Sequence, residues 1–226
     1  CLDCPETYQK ELELSRNLAD AAKLVTTQGN SATDLVTNVL IGGNCFDVAN
    51  IKGTGAAASR GIFSQGESSI NISNGIVLST GSTAELPGPN NLTNANGGFG
   101  NNSPDDPNLA SLTSGNQYDV SIIEFDFKPT ANMVQFDFVF GSEEYCEYVN
   151  SIYNDVFGFF ISGPGINGVQ NLAVLPDGVT PVAINNVNHL KNQAYYRNNN
   201  TYATCFGQPT VSLSDIQLDG FTTVLT

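Results

Sequence analysis

The chain has 226 residues, with 22 acidic against 8 basic side chains, a formal charge of −14 and a single His. That balance argues against nucleic acid, whose binders need a basic face, and against adsorption to anionic membranes. The length suffices to bury a real core, and no apolar run reaches the roughly 18 residues of a membrane span.

In chain order, Pro5 to Val25 has the marks of a helix. Pro5 suits the first turn, acidic residues come early, Lys23 comes late, and Leu14, Leu18, Ala21, Ala22 and Val25 share one stripe. A shorter helix is expected to start at Ser31 or Thr33, to bury Leu35, Val36, Val39 and Leu40, and to stop at Gly42–Gly43. From Cys45 onward the pattern is one of strands and turns. Strands are expected at Val48–Ile51, Gly61–Phe63, Gly75–Ser79, Val120–Phe127, Met133–Phe140, Val156–Ile161, Leu172–Leu175, Val182–Ile184 and Phe221–Leu225. Gly81 to Gly115 reads as a long irregular loop. Together these predict an all-β fold, a β-sandwich of jelly-roll type with an N-terminal helix and one short helix. Residues 1–30 are expected to be an N-terminal helical segment, packed on its own domain or serving as a connector, and 31–226 the domain. The last strand runs to the end of the chain, from which a truncated sandwich with an open edge is expected.

The most informative stretch runs from Val134 to Pro164. Val134, Phe136, Phe138 and Phe140 alternate with polar residues, as in a half-buried strand, and a second strand-like run follows at Val156–Ser162. Between them lie Glu143, Glu144, Glu147 and Asp155, interleaved with Tyr145, Tyr148 and Tyr153. All-oxygen ligands without His or Cys suit calcium, which makes Glu143, Glu144, Asn154 and Asp155 candidate Ca²⁺ ligands. If Val120–Phe127 and Val134–Phe140 form a hairpin, Glu124 falls opposite Asp137, a second place for a cation to separate like charges. Solvated carboxylates are the competing reading of both groups. Paired carboxylates also serve glycoside hydrolysis, but no nucleophile elbow or Ser/His/Asp order accompanies them.

Tyr195, Tyr196 and Tyr202 lie in a polar stretch rich in Asn and form a candidate ligand-binding surface for a glycan, rings stacking on sugars. The five Cys (Cys1, Cys4, Cys45, Cys146 and Cys205) are scattered, without a zinc spacing, and read as disulfides formed in an oxidising compartment. Cys146 and Cys205 are the expected pair, a bridge worth roughly 4 kcal/mol in the chain-entropy picture.

Five stretches carry a resemblance. They are LVTNVLIGGNC (Leu35–Cys45), GIVLSTG (Gly75–Gly81), FDFVFGSEEYCEYVNSIYNDVFGFFISGPG (Phe136–Gly165), PVAINNVN (Pro181–Asn188) and DGFTTVLT (Asp219–Thr226). In this order, from about Thr33 to Thr226, the chain resembles the choice-of-anchor L domain of large secreted surface proteins, chiefly of Bacteroidetes. The resemblance implies export from a bacterial cell through the periplasm to an extracellular or surface location. It implies a non-enzymatic module acting in adhesion or display. A structural passenger recognised by the type IX secretion machinery is the alternative, and a carbohydrate-active enzyme a distant one. Partners implied are a glycan or other cell-surface ligand, the secretion machinery, or the remainder of the same surface protein. The family commonly has Pro where Cys146 stands, and it usually continues past Thr226.

Overall fold

The computed structural model describes residues 23–42, 46–92, 95, 97–100, 104–113, 115–129, 133–200 and 215–226. In chain order the strands are β1 (Val25–Thr26), β2 (Phe46–Thr54), β3 (Arg60–Ser64), β4 (Asn74–Leu78), β5 (Ile122–Pro129), β6 (Gly141–Ser142), β7 (Phe160–Ile161), β8 (Gln170–Asn171), β9 (Tyr196–Asn198) and β10 (Gly220–Thr222). They form four antiparallel sheets, ordered β1-β3-β4, β6-β10-β9, β2-β5 and β7-β8. The fold is all-β and sandwich-like, not a closed barrel.

The short helix forms where its cap predicts. Ser31 Oγ accepts the Asp34 N–H at 3.0 Å and donates to Asp34 Oδ2 at 2.7 Å. Ala32–Asp34 then runs into a π-helical turn, Leu35–Leu40, which buries Leu35 and Val36. Gly42 ends the turn with φ +50°, a conformation that favours glycine.

Two apolar clusters make the core. One gathers Leu24, Phe63, Ile216 and Phe221; the other gathers Tyr145, Leu175, Val182, Ile184, Val187, Tyr196 and Leu225. The C-terminal segment links them, with Phe221 in the first and Leu225 in the second. The alternation read from Phe136, Phe138 and Phe140 marks a true face. Their rings lie 4.5 Å from Phe159, 5.2 Å from Phe157 and 6.5 Å from Tyr145, respectively.

Three expectations are corrected. Val25 is a strand residue, paired with Ser64, and not the last turn of a helix; the rest of that expected helix, to residue 22, lies outside the described residues. Leu24 joins the first core cluster and β1 the first sheet, so this part of the N-terminal segment packs against the rest of the fold. The hairpin expected between β5 and the Val134 segment does not form: β5 pairs with β2, and Phe138 bridges to Leu225. Charge explains the choice, since Lys52 faces Glu124 and Asp47 faces Lys128 across the β2–β5 ladder. Finally, the C-terminal strand is not an open edge, because β10 lies between β6 and β9.

Candidate functional site

Glu143, Glu144, Glu147 and Asp155 share the connection that leaves β6, and the fold adds Asp219, the residue before β10. Ser142 is the fastener. Its Oγ lies 2.8 Å from Glu144 Oε2 and 2.7 Å from Asp155 Oδ2, and accepts the Glu144 N–H at 3.0 Å. A hydroxyl has one proton to donate, so only one carboxyl can accept from it. The arrangement is satisfied when the other carboxyl carries its own proton and donates. The forces on Asp155 agree, since burial and then the neighbouring Glu144 push its pKa upward, against the opposing Ser142 hydrogen bond.

Asp219 is closed in from another direction. Asn90 Nδ2 donates to Asp219 Oδ1 at 2.7 Å and to the Asn199 carbonyl at 3.0 Å, and Asn199 N–H donates to the Asp219 carbonyl at 2.9 Å. Burial raises the Asp219 pKa to about 7; the Asn90 hydrogen bond opposes this, and the charges of Glu147 and Glu144 add to it. Glu143 is the least compensated. Among the described residues both its carboxyl oxygens, like Glu147 Oε2, are buried without a hydrogen bond of ordinary geometry, although the Ala95 backbone lies near enough to act on Glu143. Burial, then Asp219, raises Glu143 to about 8, with the Ala95 backbone opposing and Glu144 and Glu147 adding to the rise.

Of the predicted calcium ligands, Glu144 and Asp155 meet on Ser142, while Glu143 takes no part in that bridge and is influenced chiefly by its burial and by the charge of Asp219. Asn154 is engaged elsewhere, its Oδ1 accepting the Asn185 N–H at 2.9 Å. Glu124 faces Lys52, and Asp137 accepts the Thr226 hydroxyl at 2.6 Å, so these two do not oppose one another. Among the described residues no group of three or more His, Cys, Asp or Glu is arranged to hold a metal ion. Asp219, Asn90 and Ser142 escaped the sequence reading. Asp219 was visible as the first residue of the DGFTTVLT stretch, whereas nothing local marks Asn90.

The tyrosines divide differently from expectation. Tyr196 is 7% exposed, its ring 4.9 Å from that of Tyr145, and Tyr195 packs against the same cluster. Tyr196 is thus core and Tyr195 its half-buried margin, and Tyr202 lies outside the described residues. Tyr145 is fully buried and donates to the Val187 carbonyl at 2.8 Å. In the β6–β7 connection the outward-facing rings are Tyr148 and Tyr153, 40% and 58% exposed and 5.2 Å apart, edge to face. Cys146 is buried and disulfide-bonded; Cys205, its expected partner, lies outside the described residues.

Among the described residues no helix is long and apolar enough to cross a membrane. No curated protein and no solved structure matches the chain. The profile of the choice-of-anchor L domain matches residues 24–226, taking in β1 and the Asp219 corner as well as the stretches read from the sequence. The chain belongs to the choice-of-anchor L domain family.

Proposed function

We propose that this chain is a non-enzymatic, surface-associated module of a larger protein, acting in adhesion or display. Membership of the choice-of-anchor L family supports the surface association. The observation that carries the non-enzymatic part is the use made of the carboxylates. Glu144 and Asp155 close on Ser142, and Asp219 closes on Asn90, fastening chain segments to one another. General acid–base hydrolysis needs such groups turned toward a substrate. The disulfide at Cys146 favours an oxidising route to the surface. The test has two arms. Beads coated with the folded chain should adhere to cells or matrix, and a panel of chromogenic glycosides should show no turnover. Turnover abolished by Asp155→Asn would sink the reading, as would coated beads that bind no surface.

One observation favours a calcium-bound form of the same corner. Among the described residues no side chain donates to the buried Glu143 oxygens or to Glu147 Oε2, and a hard cation is one way to compensate them. In this reading the ion draws Glu143 and Glu147 inward from their present positions. Millimolar Ca²⁺ should then raise the melting temperature and EDTA should lower it, by mass action. Superimposable melting curves with either addition rule out the calcium form and leave shared protons as the compensation.

A further inference from the structure

We propose that the tip of the β6–β7 connection, Tyr148 to Tyr153, is a binding site for a neutral oligosaccharide. This rests on the adhesion reading above and names the ligand class that would serve it.

The tip is built outward on purpose-like geometry of a simple kind: Val149 turns into the core cluster, while Tyr148, Ile152 and Tyr153 point out at 40%, 82% and 58% exposure. Leaving three large side chains partly or largely in water within six residues forgoes apolar burial. Such groups usually mark a contact surface. The frame beneath them is tied down at both ends. Tyr148 N–H donates to the Glu144 carbonyl at 3.1 Å, and Ser151 N–H to the Tyr148 carbonyl at 3.0 Å. Asn185 then grips the far side: its Oδ1 accepts the Asn150 N–H at 2.5 Å, and its Nδ2 donates to the Ser151 carbonyl at 3.1 Å. Asn154 Oδ1 completes the grip by accepting the Asn185 N–H at 2.9 Å, and Ser151 Oγ accepts the Tyr153 N–H at 3.0 Å. A loop fixed this way loses little further freedom on binding, and tyrosine offers a broad contact for few rotatable bonds.

The chemistry of the tip selects the ligand class. Residues 148–154, YVNSIYN, carry no charged side chain, which disfavours an ionic ligand, and there is no Lys or Arg from Gly141 to Asp155 to meet a phosphate or an anionic lipid. What the tip offers is aromatic faces with phenol, amide and hydroxyl groups beside them. That set suits a pyranose, whose apolar ring face stacks while its hydroxyls hydrogen-bond. A second loop lies close by, since a Cβ on Gly115 would sit 3.5 Å from the Ile152 carbonyl. Three residues further along that loop is Tyr118, 60% exposed, with Asn116 Nδ2 donating to its hydroxyl at 3.4 Å.

The test uses the full chain on an array of neutral, sialylated and sulphated oligosaccharides, with Tyr148→Ala, Tyr153→Ala, Tyr153→Phe and Tyr195→Ala beside it. Neutral glycans should bind. Either alanine change at the tip should lower the signal by about tenfold or more, while Tyr153→Phe and Tyr195→Ala hold it. Melting temperatures of the tip variants should stay close to wild type, because substitutions of exposed side chains usually move stability little. Neutral glycans bound equally by both alanine variants would overturn the site, as would a preference for the anionic sugars. Coated beads that still adhere to cells after glycosidase treatment, but not after protease treatment, would overturn the ligand class and leave the adhesion reading standing. Failure to adhere to any surface removes that reading as well.

Discussion

Ser142 has a single proton to give and two carboxyl oxygens within 2.8 Å, so its surroundings are stable only as a proton-sharing set. Ser142→Ala removes the bridge and the acceptor of the Glu144 N–H together. We expect a loss of about 1–3 kcal/mol, the usual cost of stranding buried polar groups, read as a lower urea midpoint with unchanged slope. An unaltered midpoint would show that the network fastens nothing. Tyr145→Phe probes the neighbouring core with a smaller change. It deletes only the hydroxyl that serves the Val187 carbonyl, and about 1–3 kcal/mol should again be lost because that acceptor is buried. A change below a few tenths of a kcal/mol in urea titration would mean that the carbonyl finds another donor. At this scale the sequence was legible in part. Glu143, Glu144 and Asp155 stood out because fifteen residues, Gly141 to Asp155, hold them all. Asp219 and Asn90 did not, because their hydrogen bond joins positions 129 apart, a separation that no local pattern encodes.

Gly220 shows why β10 can run through the middle of the second core cluster. A Cβ there would lie 2.8 Å from both Tyr145 Cδ2 and Tyr196 Cε2 and 2.9 Å from Tyr145 Cβ, closer than real Cβ contacts allow. Two tyrosine rings are thus seated against bare backbone. Gly220→Ala must push apart a pair of rings that are themselves packed on Leu225 and Ile184, and overpacking of this kind costs about 1–3 kcal/mol. The expected readout is a lower urea midpoint together with altered near-ultraviolet dichroism from the displaced tyrosines; a wild-type spectrum and midpoint would show that the sheet yields freely. Strand-like runs bounded by Gly, Pro, Asn and Asp were readable from sequence: β3, β4 and β5 lie close to where those runs put them. The Val134–Phe140 segment was half readable. Its apolar face was right, because alternation reports burial, but its partner was wrong, because alternation says nothing of which strand supplies the hydrogen bonds. That choice fell to Leu225, far along the chain, and to the opposite charges that draw β5 onto β2. Tyr196 departed from the expected surface for a related reason. A polar neighbourhood in sequence does not fix exposure, and Tyr196 turns inward because β9 joins β10.

At the scale of the molecule, a chain of charge −14 folds around acidic groups that cannot all ionise together. Glu143 and Asp219 have ordinary values of 4.5 and 3.8, which folding raises to about 8 and about 7; burial leads in both, with neighbouring carboxylates adding to it. Between those limits the folded chain binds more protons than the unfolded one, so raising the pH favours unfolding. The stabilisation these groups provide is fully present below their unfolded values and is lost as pH rises through about 7 and 8. This is the reverse of the usual acid-labile carboxylate, and screening by salt will soften it only partly because the oxygens of Glu143 are buried. We therefore expect a melting temperature that falls steadily from about pH 5 to about pH 9. Glu143→Gln should flatten the upper part of that profile, because the amide stays neutral and can donate to the acidic groups around it. The same substitution should matter little near pH 5, where the native carboxyl is already protonated. A wild-type melting temperature that is constant or rises across this range would contradict the proton-sharing account of the corner. A Glu143→Gln profile parallel to wild type would remove Glu143 from it and leave the slope to Asp155 and Asp219.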